Sequence, residues 1–135
     1  MVLDCSVSLA WIFPEEMSKA IEGVFERVVE QGARVPTLWR IEVANSLTMA
    51  VRSGRMNAED RSISLHDLAD LQILTDTETG ERVWSDTLTL ADRHRITVYD
   101  ATYLELALRL SLPLATLDAD LRKAARSSKV ELLGK

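Results

Sequence analysis

Short apolar runs alternate along this chain with longer segments whose apolar residues recur at helical spacing. The short runs are "MVLD", "ARVP", "LQIL", "LPLATLD" and "VELL". Strands that are separated by helices need crossover connections, and such βαβ units build a parallel sheet with helices on both faces. The alternation therefore predicts an α/β fold, an α/β/α sandwich around a mainly parallel sheet.

Helical periodicity fills the intervals between these runs. Helices are predicted over residues 15–32, 37–54, 57–71, 81–95, 100–110 and 119–128. In the first of them an apolar stripe ends at Gly32; its members are Ile21, Val24, Phe25, Val28 and Val29. The second is apolar around most of its circumference, which predicts a helix buried on more than one side.

Length and composition narrow the class of protein. A chain of 135 residues is expected to form one domain over residues 1–135. The only cysteine, Cys5, excludes an internal disulfide and a multi-cysteine zinc site, and no apolar run reaches membrane-spanning length. We therefore expect a cytoplasmic protein without membrane contact. The net charge of −5 disfavours a surface devoted wholly to nucleic acid, although a local basic patch remains compatible with it.

Four acidic residues fall where the predicted strands end. Asp4 follows "MVL" and Asp118 follows "LATL", while Asp100 opens a helix directly after "ITVY". Glu42 lies one turn into the helix that follows "ARVP". Right-handed crossovers bring the carboxyl ends of parallel strands to one edge, where ligands of open α/β sheets bind. We expect the four carboxylates to meet at that edge.

Each acid also has a purely structural explanation. An aspartate between a strand and a helix can be an N-cap that accepts backbone N–H groups, and this applies to Asp4, Asp100 and Asp118. Glu42 is flanked by Ile41 and Val43, so an unpaired charge there would be costly and a cation partner is expected. That partner is either an arginine or a metal ion.

The joint arrangement favours a metal site. Carboxylates crowded together raise one another's pKa unless a positive charge neutralises them, and neither lysine nor histidine is placed among these four. Hard divalent cations such as Mg²⁺ or Mn²⁺ prefer carboxylate and water oxygens. Such a site suits phosphodiester hydrolysis, because one ion lowers the pKa of an attacking water and a second stabilises the leaving oxygen.

Four motifs together resemble a known family. They are "VLDCSVSLAW", "PTLWRIEVANSL", "YDATYLELA" and "PLATLDADL", and the similarity extends from Val2 to the closing "VELLG". The chain resembles a PIN domain, specifically the VapC-type toxin ribonuclease of VapBC toxin–antitoxin pairs. The resemblance implies a central parallel sheet of about five strands.

The resemblance also implies a set of site residues and partners. The acidic quartet that holds Mg²⁺ or Mn²⁺ would be Asp4, Glu42, Asp100 and Asp118. Supporting positions would be Ser6, Asn45, Thr116 and Asp120, the last as a water-mediated ligand. The implied substrate is RNA, such as tRNA or ribosomal RNA, and the implied partners are a second copy and a VapB-type antitoxin whose peptide crosses the active site. The departures from the family are Cys5, Ser111 and Lys129, of which the last two stand near positions often held by glycine.

Two other functions are compatible with an acidic edge. A phosphatase that works through an aspartyl phosphate is disfavoured, because "DCS" lacks a second aspartate two residues on and no lysine stands near the acids. A catalytically inactive PIN-like binding module is disfavoured by the intact quartet.

Other chemically distinctive residues are predicted to be structural. Cys5 has no partner base for nucleophilic chemistry and is expected to be buried. His66 and His94 lack metal-ligand spacing and are expected at the surface. The tryptophans, Trp11, Trp39 and Trp84, are expected in the core or at an interface. For RNA contact we select two arginines, Arg40 and Arg55.

Overall fold

Five strands form one sheet in the computed structural model, which describes residues 1–135. The strands are β1 (Val2–Leu3), β2 (Ala33–Val35), β3 (Ile73–Thr75), β4 (Leu114–Ala115) and β5 (Leu132–Leu133). All neighbours pair in parallel, in the order β3-β2-β1-β4-β5. The predicted α/β fold with a parallel sheet of about five strands is confirmed.

Helices connect every pair of consecutive strands. They are α1 (Cys5–Ile12), α2 (Lys19–Gln31), α3 (Leu38–Arg52), α4 (Ala58–Asp70), α5 (Thr79–Arg82), α6 (Leu88–His94), α7 (Val98–Leu110) and α8 (Ala119–Ser127). A 3₁₀ turn (Pro14–Glu16) follows α1, and a π-helical turn (Val83–Thr87) joins α5 to α6. None of these helices is both long enough and apolar enough to cross a membrane.

The strand order has one reversal of direction. From β1 the chain adds β2 and β3 on one side, then crosses back to add β4 and β5 on the other. Right-handed crossovers in opposite directions place α1–α4 on one face of the sheet and α5–α8 on the other, giving three layers. The reversal lies between β1 and β4, and the carboxyl ends at such a switch point frame a crevice.

A continuous apolar core lies on both sides of the sheet. Its centre on one face is α7, in which every residue from 101 to 107 is buried. The largest fully buried side chains include Tyr103, Leu3, Ile21 and Leu47. Because α7 packs against β1 and β4, it carries its first turn directly to the switch point.

The structure corrects the predicted burial of two helices. Helix α3 buries one stripe of Trp39, Val43, Leu47 and Ala50, whereas Ile41 is 69% exposed, so burial on more than one side was wrong. In α2 the predicted stripe is only partly buried. Its outer members, Phe25 and Val29, are exposed because they lie at the margin of a stripe centred on Ile21, Val24 and Val28.

Several element boundaries also differ from the prediction. Helix α2 begins at Lys19 rather than in the "EE" pair, because the Ser18 hydroxyl oxygen accepts the Ile21 N–H and caps the helix there. Helix α7 begins at Val98, and its cap is Thr97, so Asp100 lies in the first turn instead of opening the helix.

Two loop positions adopt the backbone that glycine favours. Ser111, which ends α7, has φ 53°, and Lys129 has φ 59°. The left-handed region costs a non-glycine residue roughly 1–2 kcal/mol. Both residues adopt this conformation without the freedom of glycine.

Candidate active site

Asp4 ends the first strand as a buried carboxylate. It is 5% exposed, and its Oδ2 accepts hydrogen bonds from the Ser6 hydroxyl at 2.5 Å and from the Thr116 hydroxyl at 2.7 Å. Asp4 occupies the N-cap position of α1, but its side chain makes no cap hydrogen bond. Its carboxylate is thus held by hydroxyls from the first turn of α1 and from the residue after β4, and the N-cap explanation fails for Asp4.

The loop after β4 is fixed to the same cluster. The Leu117 N–H donates to the Ser6 hydroxyl oxygen at 3.0 Å, and the Asp118 N–H donates to the Thr116 hydroxyl oxygen at 3.1 Å. Asp118 Oδ1 accepts the Leu121 N–H at 2.8 Å, so this aspartate does cap α8. One carboxylate oxygen is occupied in capping, and the residue stands at the switch point beside Asp4.

Arg122 holds the loop after β4 in place through hydrogen bonds to main-chain carbonyls. Its buried guanidinium donates to the Thr116 carbonyl at 2.7 Å and to the Leu133 carbonyl at 2.9 Å. Because Thr116 also holds Asp4, Arg122 fixes the ends of β4 and β5 around the acidic centre. Arg122 is therefore a buried arginine with a structural role.

Glu42 has a phenol rather than an arginine as its partner. Its Oε1 accepts a hydrogen bond of 2.5 Å from the hydroxyl of Tyr103, which lies on α7 and is fully buried. Burial, Asp4 and Glu42 raise the pKa of Tyr103, so the phenol keeps its proton. Sequence reasoning missed Tyr103. Its signal was a polar ring three residues after Asp100, on the same face of an apolar helix.

Three of the four carboxylates have raised pKa values. Burial raises the pKa of Asp4 and that of Glu42. Burial, followed by the charges of Asp118 and Asp4, raises the pKa of Asp100 to about 6. Each of these shifts includes a repulsive contribution from another member of the quartet. The structure therefore brings the four side chains together as one electrostatic unit.

No cation neutralises this acidic cluster from within the protein. None of its members forms a salt bridge with lysine, arginine or histidine. Carboxylate oxygens and hydroxyls are a donor set that suits Mg²⁺ or Mn²⁺. No three acidic, histidine or cysteine side chains are arranged to bind a single ion. Since like charges repel, we expect these carboxylates to draw together only around a cation.

Three other residues selected from the sequence are exposed on the helices that follow β2 and β4. Asn45 is exposed on α3, one turn after Glu42. Asp120 is exposed in the first turn of α8, where it lines a pocket with basic side chains instead of joining the quartet. Arg40 is exposed near the start of α3 and forms no ion pair.

Arg55 was a wrong choice for RNA contact at the acidic edge. Its guanidinium pairs with Glu15 at 2.6 Å and Glu16 at 2.9 Å, and lies 3.6 Å from the centre of the Phe13 ring. It follows the end of α3, a helix of about 20 Å that starts at the carboxyl edge of the sheet. Arg55 therefore stands at the opposite edge.

The residues expected to be structural are mostly so. Cys5 is buried, and burial, with the charges of Asp4 and Glu42, raises the pKa of its thiol to about 12, which disfavours a thiolate nucleophile. Trp39 is buried and donates to the Ser8 hydroxyl oxygen, and Trp11 packs edge-on against Phe25. Trp84 is 90% exposed on the π-helical turn, so it is not in the core, and its predicted place at an interface stays a prediction.

Comparison with known proteins identifies the family of this chain. Residues 1–127 match the PIN domain family. The chain belongs to the PIN domain family. It is 34% identical over 123 residues to Ribonuclease VapC3 of Pyrobaculum aerophilum, covering 90% of this chain and 91% of that protein.

Solved structures share the fold of this PIN domain at low sequence identity. The crystal structure of PAE2754 from Pyrobaculum aerophilum has a TM-score of 0.67 at 21% identity, covering 91% of this chain and 82% of that one. FitAcB from Neisseria gonorrhoeae has a TM-score of 0.67 at 16% identity, covering 98% of this chain and 96% of that one. The three-layer architecture is therefore that of solved PIN-like proteins.

Proposed function

We propose that this PIN domain is a metal-dependent endoribonuclease and the toxin of a type II toxin–antitoxin pair. The observation that carries the proposal is the acidic cluster at the switch point, which no cation of the protein neutralises and in which burial and acidic neighbours raise the pKa values of Asp4, Glu42 and Asp100. Similarity to Ribonuclease VapC3 favours RNA as the substrate. The function belongs to residues 1–135 as one domain.

The four carboxylates, Asp4, Glu42, Asp100 and Asp118, would hold the metal. Bound Mg²⁺ or Mn²⁺ would lower the pKa of a water molecule and stabilise negative charge on the phosphate. In the hydrolysis, the water oxygen forms a bond to phosphorus as one P–O ester bond breaks, and the departing oxygen takes up a proton. The products are two RNA fragments.

The other residues of the cluster orient these carboxylates. Ser6 and Thr116 hold one oxygen of Asp4, and the Tyr103 phenol holds one oxygen of Glu42. Because the Leu121 N–H occupies one oxygen of Asp118, its second oxygen is the one available to a metal. Asn45 and Asp120, on the exposed side, would contact RNA or metal-bound solvent.

The proposed partners follow from the family. A VapB-type antitoxin would bind this chain and cover the acidic edge, and two copies of the chain would form a homodimer. A dimer could line one groove with arginines from both copies, which would offset the net charge of −5. RNA binding should then weaken as salt increases.

The test is cleavage of a mixed pool of tRNA and ribosomal RNA by protein purified free of antitoxin. Wild type is compared with Asp100→Asn and with Asp67→Asn, a matched control on the exposed face of α4. We expect discrete cuts with Mg²⁺ or Mn²⁺, none with EDTA, and a loss of at least about 100-fold in Asp100→Asn alone.

Cleavage by Asp100→Asn at the wild-type rate, or cleavage unaffected by EDTA, would overturn the assignment of the quartet. Folded protein that cuts no RNA with either metal but binds an antitoxin would favour the inactive binding module.

A further inference from the structure

A basic pocket lies between α6 and α8. It has a volume of about 400 Å³ and extends from the end of α6 along α8, from Asp120 to Ser127. Its polar lining comprises Arg93, His94, Arg95, Asp120, Lys123 and Ser127. The volume is within the range of pockets that hold small ligands. We refer to it as the α6–α8 pocket.

The cations of this pocket are not neutralised by the protein. None of Arg93, Arg95 and Lys123 takes part in a salt bridge, whereas Arg55, Arg82 and Arg109 all do. Three cations against the one carboxylate of Asp120 leave a charge of +2 at the pocket. A concave surface lined by one sign of charge concentrates counter-ions. The pocket is therefore positively charged, whereas the chain as a whole has a net charge of −5.

The chain connects the pocket directly to the acidic cluster. Arg95 ends α6 and precedes Asp100 by five residues, and Asp120 follows Asp118 by two. The His94 ring lies 3.1 Å from the Ser128 hydroxyl, which ties the end of α6 to the end of α8. The pocket therefore begins at Asp120, in the same turn of α8 that Asp118 caps, and extends from there toward the end of the helix.

We propose that the α6–α8 pocket binds a backbone phosphate of the RNA substrate, next to the phosphate that is cleaved. The inference rests on the proposed function and names a contact for its substrate. Carboxylates alone repel RNA, so a strand that crosses the acidic edge needs cations nearby to hold it. Arg93 and Lys123 supply those cations, and contacts to phosphate give affinity without sequence preference.

The test measures RNA binding separately from cleavage. All proteins carry Asp100→Asn, which prevents cutting and reduces repulsion. The pocket variant adds Arg93→Gln and Lys123→Gln, and the matched control adds Lys19→Gln and Arg52→Gln, which remove two exposed, unpaired cations from α2 and α3. Binding of a fluorescent single-stranded RNA is followed by anisotropy across a salt series.

The expected result is a shallower salt dependence in the pocket variant only. Each phosphate contact on a single strand contributes about 0.7 to the slope of log affinity against log salt, so losing two lowers the slope by about 1.4. The single variants should each lose about half of that. An unchanged slope, or an equal fall in the control, would overturn the proposal.

A further outcome separates RNA from an acidic protein partner. If the pocket variant loses affinity for the antitoxin while its RNA slope is unchanged, the pocket is a protein contact and the proposal fails. Failure of the nuclease function is recognised independently, since it shows as absent cleavage in protein without Asp100→Asn, whatever the RNA slope.

Discussion

Two clusters of acidic side chains lie at opposite ends of α7, and they differ in what neutralises them. At the start of the helix, Asp100 joins Asp4, Glu42 and Asp118, with no cation from the protein. Toward its end, Arg109 binds three acids: Asp76 at 2.7 Å, Glu105 at 2.7 Å and Glu78 at 3.0 Å.

One aspartate in each cluster shows the contrast, because the pKa of Asp76 is lowered and that of Asp100 is raised. Burial tends to raise the pKa of Asp76, but hydrogen bonds from Arg109 and Thr79 outweigh it and lower that pKa below its ordinary value. The pKa of Asp100 rises to about 6. Clustered acids that the fold itself neutralises are structural. Acids left without a cation cost stability, and that cost is typical of sites shaped for function.

The largest change in stability is expected from breaking the neutralised cluster. Arg109→Met leaves the buried Glu105 and the half-buried Asp76 without their cation, so we expect a loss of about 3 kcal/mol in the free energy of unfolding. Urea denaturation measures it. RNA cleavage per folded molecule should persist, because the acidic edge lies at the other end of a helix of about 20 Å.

The control for this variant is Arg82→Met. Arg82 pairs with Asp86 at 3.4 Å on the surface, and exposed pairs of this spacing contribute well under 1 kcal/mol. Equal effects of the two variants would show that the Arg109 cluster is no more than a surface network.

Removing a charge from the acidic cluster at the start of α7 is expected to increase the stability of the protein. Asp100→Asn should raise the free energy of unfolding at pH 7.5 by about 1–2 kcal/mol, once solvent screening is allowed for. The pKa of Asp100 is about 6 in the folded protein and 3.8 in the unfolded chain. Between pH 3.8 and pH 6 the folded protein therefore binds more protons than the unfolded chain. Wild-type stability then falls as pH rises through this window, and the gain from the variant should vanish near pH 4.

Asp76→Asn is the counterpart on the neutralised side. Because the pKa of Asp76 is lowered on folding, its contribution to stability is present above pH 3.8 and is lost as pH falls. This variant should therefore destabilise the protein at pH 7.5. If both substitutions shift stability in the same direction, the contrast between the clusters is not electrostatic.

The two clusters were not equally visible in the sequence. Asp4 and Asp118 could be placed at one edge because Asp4 directly follows β1 and Asp118 lies three residues after the end of β4, and strand ends are set by local apolar patterns. Arg109 and Asp76 are 33 residues apart, and Glu42 and Tyr103 are 61 apart. No local pattern fixes which helix faces meet at that separation, so these contacts required the structure.

Local ambiguity limited other predictions in the same way. The apolar circumference of α3 did not indicate which stripe would be buried, because Ile41 and Val43 differ only in their angle around the helix. Trp84 follows the aliphatic Val83, yet the side chain of Trp84 is exposed on the π-helical turn. In the sequence nothing indicated a partner for Arg55, so it was selected for RNA contact. In the structure, Glu15 and Glu16 of the 3₁₀ turn form ion pairs with it.

The smallest effect is expected from Tyr103→Phe, which removes the hydrogen bond to Glu42 while keeping the ring. The loss in unfolding free energy should be about 1 kcal/mol, typical of one hydrogen bond. Burial raises the pKa of Glu42 and the Tyr103 hydroxyl opposes that rise, so the variant should raise this pKa further. Cleavage should then decline at a higher pH than in wild type when the solution is acidified.

The matched control is Tyr99→Phe, which alters an exposed phenol one turn earlier in α7. The measurement is the pH profile of cleavage for the two variants and wild type. If Tyr103 had only a structural role, Tyr103→Phe would lower the fraction of folded protein but leave the position of the acid limb unchanged. A shift of the acid limb of the cleavage profile would identify Tyr103 as a positioning residue for Glu42. Arg109 has the corresponding role in the other cluster.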